Sequence, residues 1–329
     1  MQRQNYIERI FSIRDSEEFT DLALELFRYQ AKECPIYKDY IQLLKIAPET
    51  VNRIEKIPFL PIEFFKTHEV KCGDFAAQTV FTSSGTTGQT VSKHHVKDLQ
   101  LYVRSFTEAF HLFYGNEKDF VLLALLPSYL ERTGSSLIYM CESLIKSGGN
   151  PMSGFYLNEH SELLSILKQC KTEKKKNLLI GVTFGLLDFA ESIQESFPDL
   201  IVMETGGMKG RREEWVRAQV HQFLGDRFGV EKIHSEYGMT ELLSQAYSDG
   251  DGLFACPPWM KVLRREVTDP FEINSNPGGG ALNIIDLVNV DSCSFIATQD
   301  LGKLHSGGKF EVLGRYDHAE VRGCNLMVS

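Results

Sequence analysis

Apolar and polar positions along the first part of the chain change their spacing several times. Over residues 1–50 apolar side chains recur among charges at helical spacing. Residues 57–61 interrupt this region, because proline fixes φ and removes a backbone donor. Residues 78–81 are typical of a strand, which enters a loop of small residues over 82–90, and residues 97–113 return to helical spacing.

Short apolar runs alternate with helical segments through the middle of the chain. We predict strands over 121–126, 177–182 and 200–204. We predict helices between and after them, over 135–147, 160–170, 185–196 and 211–228. This alternation is typical of a sheet with mostly parallel pairing.

Beyond residue 257 the pattern changes to short strands separated by Gly and Pro turns. The predicted strands lie over 271–273, 281–286, 295–298 and 309–312. Such a series indicates an antiparallel sheet or a small barrel. The sequence therefore predicts an α/β fold with mostly parallel sheets flanked by helices, and a smaller antiparallel or barrel-like region.

Composition and charge narrow the classes of protein that fit. The chain has 329 residues, 43% of them apolar and 24% charged, as in globular proteins. Its formal net charge of −9 argues against a nucleic-acid partner, since such domains carry a clustered basic surface. The amino terminus lacks a secretory-signal pattern, and the longest apolar run, over 120–127, is shorter than the roughly 20 residues that cross a bilayer.

Seven cysteines are scattered along the chain without a CxxC pair or a metal-ligand spacing. An odd number without such spacing favours free thiols over a disulfide framework. We therefore expect free thiols, a reducing cytoplasm and no membrane span. Cys256 and Cys293 are expected to be buried in the core.

The loop over 82–90 is rich in small hydroxyl residues and glycine. It reads Thr82-Ser83-Ser84-Gly85-Thr86-Thr87-Gly88-Gln89-Thr90, with Lys93 just beyond. Glycines permit close backbone approach, successive amides can form a concave anion site, and hydroxyls add neutral donors. A flexible linker is the alternative, and the expected position between a strand and a helix counts against it. No Gly-Lys-Ser/Thr triplet closes the loop, so it is not a Walker A sequence.

The segment Ser83-Ser84-Gly85-Thr86-Thr87-Gly88 resembles the phosphate loop of the adenylate-forming superfamily. That superfamily includes acyl-CoA synthetases, firefly-type luciferases and peptide-synthetase adenylation domains. The resemblance implies that this loop, with Thr82 before it, holds the β- and γ-phosphates of ATP. Lys93 corresponds to the family's lysine, with Gln89-Thr90 in place of the usual proline.

A second segment, Ser235-Glu236-Tyr237-Gly238-Met239-Thr240-Glu241, resembles the family motif Tyr-Gly-x-Thr-Glu. An aromatic ring can stack on adenine, a hydroxyl can reach a phosphate, and a carboxylate can hold Mg²⁺. The resemblance assigns Tyr237 to adenine, Thr240 to the α-phosphate and Glu241 to Mg²⁺. Gly238 belongs to the same ATP-binding segment.

Three further segments follow the family's order along the chain. Gly206-Gly207, after the strand predicted over 200–204, resembles a segment that lines the adenine pocket, although a plain tight turn explains the glycines equally well. Asp300 resembles the aspartate that binds the ribose hydroxyls, with Gln299 at the family's glycine position. Arg315 resembles the arginine of the family's hinge, which contacts ribose or phosphate.

The resemblance implies an adenylate-forming core over 1–315. Its parts would be a helical segment over 1–60, α/β sheets over 78–256 and an antiparallel region over 257–313. Residues 316–329 would be a short hinge remnant and tail. The resemblance further implies that the small C-terminal domain of most members is essentially absent.

The tail Arg322-Gly323-Cys324-Asn325-Leu326 resembles one branch of the superfamily. These are the acyl-protein synthetases of the bacterial bioluminescence fatty-acid reductase complex, which are related to phenylacetate-CoA ligases. They carry a cysteine near the C-terminus that accepts the acyl group, and the resemblance assigns this role to Cys324. A thiolate is a good nucleophile toward an acyl-AMP anhydride. An inert terminal cysteine is the alternative.

The implied function is activation of a carboxylic acid, with a fatty acid favoured, to acyl-AMP with ATP, Mg²⁺ and release of pyrophosphate. The acyl group would pass to Cys324 and then to a partner protein, a reductase or a carrier. An acyl- or aryl-CoA ligase and a non-catalytic nucleotide-binding subunit are the alternatives. Candidates for an apolar acyl pocket, which fit an ordinary core equally well, are Leu126, Tyr129, Val182, Phe184 and Met239.

Overall fold

The structure is a computed structural model that describes residues 1–84, 90–126, 134–157, 159–206 and 215–315. The chain falls into two compact units. The first combines Met1–Phe64, Val70–Gly73 and the residues from Pro258 onward. The second comprises Phe65–Glu69 and Asp74–Pro257.

Helices and strands are numbered in chain order. The helices are α1 (Arg3–Ile10), α2 (Ser16–Glu33), α3 (Pro35–Leu43), α4 (Phe64–Thr67), α5 (Leu99–Tyr114), α6 (Ser136–Gly148), α7 (His160–Glu173), α8 (Thr183–Glu191) and α9 (Arg217–Phe228). The strands are β1 (Leu60–Pro61), β2 (Thr79–Thr82), β3 (Lys93–Val96), β4 (Val121–Leu125), β5 (Gly154–Tyr156), β6 (Asn177–Val182), β7 (Leu200–Thr205), β8 (Ile233–Tyr237), β9 (Ala246–Ser248), β10 (Met260–Arg265), β11 (Ile273–Asn274), β12 (Gly278–Asp286), β13 (Phe295–Leu304) and β14 (Phe310–Arg315).

Helices α1 to α3 open the first unit, which confirms the helical prediction for residues 1–50. The Asp15 carboxylate caps α2 by accepting hydrogen bonds from the backbone N–H groups of Glu17 and Glu18, at 3.0 and 2.9 Å. Pro35 begins α3, where a missing N–H leaves no helical hydrogen bond unmade. The apolar face of α2 is buried, as its spacing predicts.

A six-stranded sheet completes the first unit, in the order β1-β13-β12-β10-β11 with β14 paired to β13. Neighbouring strands are antiparallel, as predicted, except that β1 runs parallel to β13. The prediction missed β10, and it read the proline-rich stretch over 57–61 as an interruption. Leu60–Pro61 instead forms a short strand that pairs with Ile296 and Ala297. Proline is tolerated there because β1 lies at the edge of the sheet.

An ion pair links the two ends of the chain within the first unit. The Arg3 guanidinium on α1 contacts the Asp291 carboxylate, with a distance of 2.6 Å between Nη2 and Oδ2. A second hydrogen bond, from Nε, makes the contact bidentate. The first helix is thereby fixed to a turn that comes 288 residues later.

The second unit contains a sheet in the order β5-β4-β6-β7-β8-β9, parallel except for the antiparallel edge strand β9. Every residue of β4 and of β6 is buried, which is why these strands read as continuous apolar runs. Helices α7, α8 and α9 pack their apolar residues against this sheet. The predicted parallel α/β sheet is confirmed.

A hairpin of β2 and β3 precedes α5. The prediction placed a single strand before the 82–90 loop and a helix after it, which is wrong in one respect. Lys93–Val96 forms a second strand that returns antiparallel to the first, with Thr82 opposite Lys93. The alternation of exposed and buried residues in this strand covers only four residues, which is too short a pattern to distinguish a strand from a loop.

Two findings concern the expectations about thiols and membranes. The described cysteines are free thiols, as expected; Cys293 is buried, whereas Cys256 is only half-buried, so its prediction as a core thiol is wrong. Within the described ranges, the helices lack the length and apolarity needed to cross a membrane.

Candidate active site

The Tyr237–Glu241 segment lies at the carboxyl edge of the parallel sheet in the second unit. Tyr237 is the last residue of β8, and Gly238 to Glu241 follow it. Thr205 and Gly206 end the neighbouring strand β7, with Thr205 opposite Glu236. The carboxyl edge is where ligands bind in open α/β sheets, because loops from adjacent strands converge there.

His94 connects the β2–β3 hairpin to this segment. Its Nδ1 atom lies 2.9 Å from the carbonyl oxygen of Thr240. His94 lies opposite Phe81 on β2. Phe81 directly precedes Thr82, where the predicted phosphate loop begins. The described base of that loop, Thr82 to Ser84, is therefore held close to the segment that contains Thr240 and Glu241.

The base of the loop is itself fixed by hydrogen bonds. The Ser83 N–H donates to the Ser92 carbonyl at 3.1 Å, and the Ser92 N–H donates to the Ser83 hydroxyl at 2.9 Å. The Thr82 N–H donates to the carbonyl of Gly134 at 2.8 Å. Lys93 is exposed beside them on β3. Of the remaining predicted site residues, Gly85, Thr86, Thr87, Gly88, Gly207 and Cys324 lie outside the described part of the chain.

Burial distinguishes the members of the Tyr237–Glu241 segment. Tyr237 and Glu241 are buried, and the Tyr237 ring packs against Phe254 with 5.8 Å between ring centroids. Gly238 is exposed, but it has no room for a side chain, because a β-carbon there would come within 2.4 Å of Glu236 Oε1. Gly206 contrasts with it: its φ is +71° and a β-carbon there would meet no described atom within 4 Å. The backbone at Gly206 is therefore open to a flat ligand.

Two buried carboxyl groups near this edge have opposite electrostatic environments. Burial raises the pKa of Glu204, but the hydrogen bond from His221 and the charge of Arg217 outweigh it, so the pKa lies below its usual value. Burial raises the pKa of Glu236 to about 7, although the hydrogen bond from the Thr205 hydroxyl lowers this pKa in part. At neutral pH Glu204 is ionised, whereas Glu236 is partly protonated.

Asp300 and Arg315 belong to the first unit. They are opposite residues on β13 and β14, and Arg315 Nε lies 3.2 Å from Asp300 Oδ1. The Asp300 carboxyl is buried, whereas the Arg315 side chain is mostly exposed. The structure thus brings Asp300 and Arg315, two of the predicted site residues, into contact with each other.

An apolar cavity lies within the second unit between the helices α5 and α6 and the strands β4, β6 and β7. Its lining includes Phe110, Ala124, Met140, Leu144, Ile180 and Met203. The expected acyl-pocket candidates Leu126, Val182 and Phe184 are buried elsewhere in the core and Met239 is not among the lining residues, while Tyr129 lies outside the described residues. The sequence does not distinguish this lining from the rest of the core, because cavity and core side chains are of the same types.

Comparison with solved structures defines the class of fold. The structure matches a 2-hydroxyisobutyryl-CoA ligase in its postadenylation state with a TM-score of 0.64 and 12% identity, over 94% of this chain and 70% of that one. It matches ATP-bound MatB from Rhodopseudomonas palustris with a TM-score of 0.53 and 17% identity, over 74% of this chain and 49% of that one. The chain therefore has the fold of adenylate-forming enzymes, which confirms the predicted fold class.

Among curated proteins, the long-chain-fatty-acid–luciferin-component ligase of Photorhabdus luminescens is similar to part of the chain. The two are 35% identical over 68 residues, which make up 20% of this chain and 58% of that protein. The chain thus spans little more than half the length of this relative, and about half the length of MatB. No family model matches the chain.

Proposed function

We propose that the protein is an adenylate-forming ligase that activates a carboxylic acid with ATP. The observation that carries this proposal is the hydrogen bond between His94 and Thr240, because it holds the base of the loop beside the Tyr237–Glu241 segment. Backbone amides of the loop can then grip one end of a triphosphate, while Thr240 and a metal ion act nearer the sugar. The shared fold and the similarity to a ligase support the same class.

The residues at the carboxyl edge of the second unit fit ATP and Mg²⁺. Mg²⁺ keeps several waters and binds through one or two carboxylates together with substrate phosphates, so Glu241 suffices as its protein ligand. The open backbone at Gly206 fits the approach of a planar base. Bound Mg²⁺ would neutralise phosphate charge.

The proposed reaction joins the acid to the nucleotide. A carboxylate oxygen of the acid attacks the α-phosphorus of ATP, and the bond to the leaving pyrophosphate breaks. The protein contributes mainly positioning and charge neutralisation. In this proposal Tyr237 contacts adenine, Thr240 contacts the α-phosphate, and the 82–88 loop with Lys93 holds the β- and γ-phosphates. Asp300 and Arg315 keep the nucleotide-binding roles that their motifs imply.

We propose that the acid is a fatty acid, because the curated relative that matches part of the chain is a long-chain-fatty-acid ligase. The apolar cavity of the second unit is not the binding site of the acyl chain. Its volume of about 20 Å³ has room for about one water molecule, so it is a packing void of the core.

The acyl acceptor separates the proposal from its alternatives. We propose that the Cys324 thiolate attacks the acyl carbon and releases AMP, and that the thioester then passes the acyl group to a partner protein. An acyl-CoA ligase would use CoA instead of Cys324. A non-catalytic nucleotide-binding subunit would perform neither step.

One assay tests these possibilities together. The protein is incubated with ATP, Mg²⁺ and radiolabelled acids of different chain lengths, and pyrophosphate exchange and protein-bound label are followed. We expect exchange in the wild type, and its loss by about 100-fold or more in Glu241→Gln, because the metal carboxylate becomes an amide. Exchange that is unchanged in Glu241→Gln contradicts the assignment of this residue.

Retained label tests the acceptor. Cys324→Ser is expected to keep exchange but lose label, whereas the matched control Cys256→Ser, at a half-buried thiol, keeps both. Exchange followed by acyl-CoA formation without labelled protein supports the CoA ligase. Absence of exchange with every acid supports the non-catalytic alternative.

A further inference from the structure

Glu236 is a buried carboxyl directly before Tyr237, and the motif resemblance gives it no role. Its side chain is 8% exposed. The Thr205 hydroxyl donates a short hydrogen bond to Oε2. Its other oxygen, Oε1, lies against Gly238, at the position where a β-carbon would otherwise be. The Glu236 side chain therefore packs against the backbone turn that follows β8 while Thr205 holds it from β7.

The groups around Glu236 favour its neutral form. The titratable groups that face it are Tyr102 and Tyr114 from α5, Cys141 from α6, Tyr247 from β9 and Glu204 from β7. All five are neutral or negative at neutral pH, so none of them compensates a second negative charge. Among the described residues, the Thr205 hydroxyl is the donor available to an ionised Glu236, and a buried carboxylate with one neutral donor is poorly stabilised.

A neighbouring amide adds an independent observation. The Gln245 side chain is 4% exposed, and its Oε1 atom has no hydrogen-bond donor in the described ranges. Its Cγ atom would lie 3.4 Å from a β-carbon on Gly238, so Gln245 and Glu236 pack against the same glycine. A protonated Glu236 adds an O–H donor to this cluster, whereas an ionised Glu236 adds only acceptors.

We propose that Glu236 is a positioning residue that supports nucleotide binding as a neutral carboxylic acid. In this form it holds the Tyr237–Gly238 turn against Thr205 without placing charge beneath it. Its ionisation introduces a buried negative charge below the segment that receives a polyanionic nucleotide. Mg-ATP therefore binds the protonated form, and Glu236 takes up a proton when the nucleotide binds above pH 7.

This inference rests on the proposed function in taking ATP as the ligand. The test is calorimetric titration of Mg-ATP into the full chain between pH 6 and pH 9, for wild type, Glu236→Gln and Thr205→Val. Glu173→Gln, at an exposed carboxylate on α7, is the matched control for loss of one carboxyl group elsewhere on the chain. Thermal melting confirms that each variant is folded.

The wild type and the control are expected to lose affinity by about tenfold per pH unit above pH 7, as for a ligand that binds one protonation state. Glu236→Gln is expected to show no such loss, because the amide is neutral at every pH. In Thr205→Val the loss begins at a higher pH, because the hydrogen bond that lowers the Glu236 pKa is gone. A merely structural role for Thr205 predicts weaker binding at every pH without this displacement.

Two results overturn the proposal: a Glu236→Gln curve that parallels the wild type, or a Thr205→Val curve that begins at the same or a lower pH. If Glu236→Gln does not fold, the Thr205→Val curve decides alone. Pyrophosphate exchange is measured on the same samples. Lack of exchange with an intact pH pattern refutes acid activation and leaves the role of Glu236 in place, whereas failure of Mg-ATP to bind any variant at pH 6 refutes both.

Discussion

His94 Nδ1 lies 2.9 Å from the carbonyl oxygen of Thr240, and both residues are in the second unit. Burial lowers the pKa of His94 to about 4, so the ring is neutral near pH 7. Because a carbonyl can only accept a hydrogen bond, Nδ1 carries the proton and donates it. The ring of Phe65 packs edge-on against the imidazole, with 6.0 Å between centroids. A buried histidine thus fixes the backbone of the residue proposed to contact the α-phosphate.

Removing this imidazole should loosen the nucleotide site. We expect His94→Ala to lower kcat/KM for pyrophosphate exchange by about 10- to 100-fold, since small displacements of positioning groups are costly. The free energy of unfolding should fall by about 1–3 kcal/mol, because the buried Thr240 carbonyl loses its donor. His95→Ala, on the other face of the same strand, is the control. Equal effects of the two variants on exchange would remove His94 from the site.

The titration of His94 should appear in the pH dependence of stability. Its pKa is about 4 in the folded state and about 6.5 in an unfolded chain, so the unfolded chain binds the proton first as pH falls. This contribution to the free energy of unfolding is complete above pH 6.5 and is lost toward pH 4, by about 3 kcal/mol in total. His94→Gln should lack it. Denaturant unfolding of both proteins at several pH values measures the difference.

The titration of Glu236 should change the free energy of unfolding with pH in the direction opposite to that of His94. Its pKa is about 7 in the folded state against 4.5 for a free side chain, so its contribution is complete below pH 4.5 and is lost as pH rises to 7. Relative to wild type, Glu236→Gln should therefore gain up to about 3 kcal/mol in free energy of unfolding between these limits. Parallel curves for the two proteins, without nucleotide, would show that Glu236 does not titrate in this range.

The two glycines at the carboxyl edge should respond differently to alanine. At Gly238 a methyl group collides with Glu236 Oε1, so Gly238→Ala must displace a hydrogen-bonded carboxyl and should cost about 1–3 kcal/mol. At Gly206 the methyl group has space, and the cost of about 1 kcal/mol comes from the positive φ. Shortening the carboxyl side chain with Glu236→Ala should reduce the cost of Gly238→Ala and leave that of Gly206→Ala unchanged. A double-mutant cycle measures this coupling.

The sequence predicted the elements with long, regular patterns and missed the short ones. The buried run of β6 was predicted with its observed bounds, because the five residues after Asn177 are apolar or small and suit a strand covered on both faces. The two-residue strand β1 and the four-residue strand β3 carry too few residues to show a period. Their existence depends on pairing with distant or neighbouring strands, which local pattern does not encode.

The sequence indicates candidate site residues where the residue types of a motif suit the proposed chemistry. Tyr237, Thr240 and Glu241 are such candidates, because their side chains match the needs of a nucleotide and a metal ion, and their roles stay a prediction. His94 and Glu236 were missed, since an isolated histidine or glutamate in a strand is usually an ordinary polar residue. Their roles arise from burial and from contacts with Thr240, Thr205 and Gly238, which only the fold brings together.

The first unit combines segments that are far apart along the chain, and this has a consequence for synthesis on the ribosome. Its opening helices and β1 contact the strands that follow Pro258, as in the pairs Arg3–Asp291 and Leu60–Ile296. At about 5–20 residues per second, translation needs roughly 10–40 s to pass from the end of the amino-terminal part to those strands. During this interval the apolar face of α2 emerges without its final partners, while the intervening sheet can already form. The apolar surface of that nascent segment therefore stays exposed until the strands after Pro258 have been made.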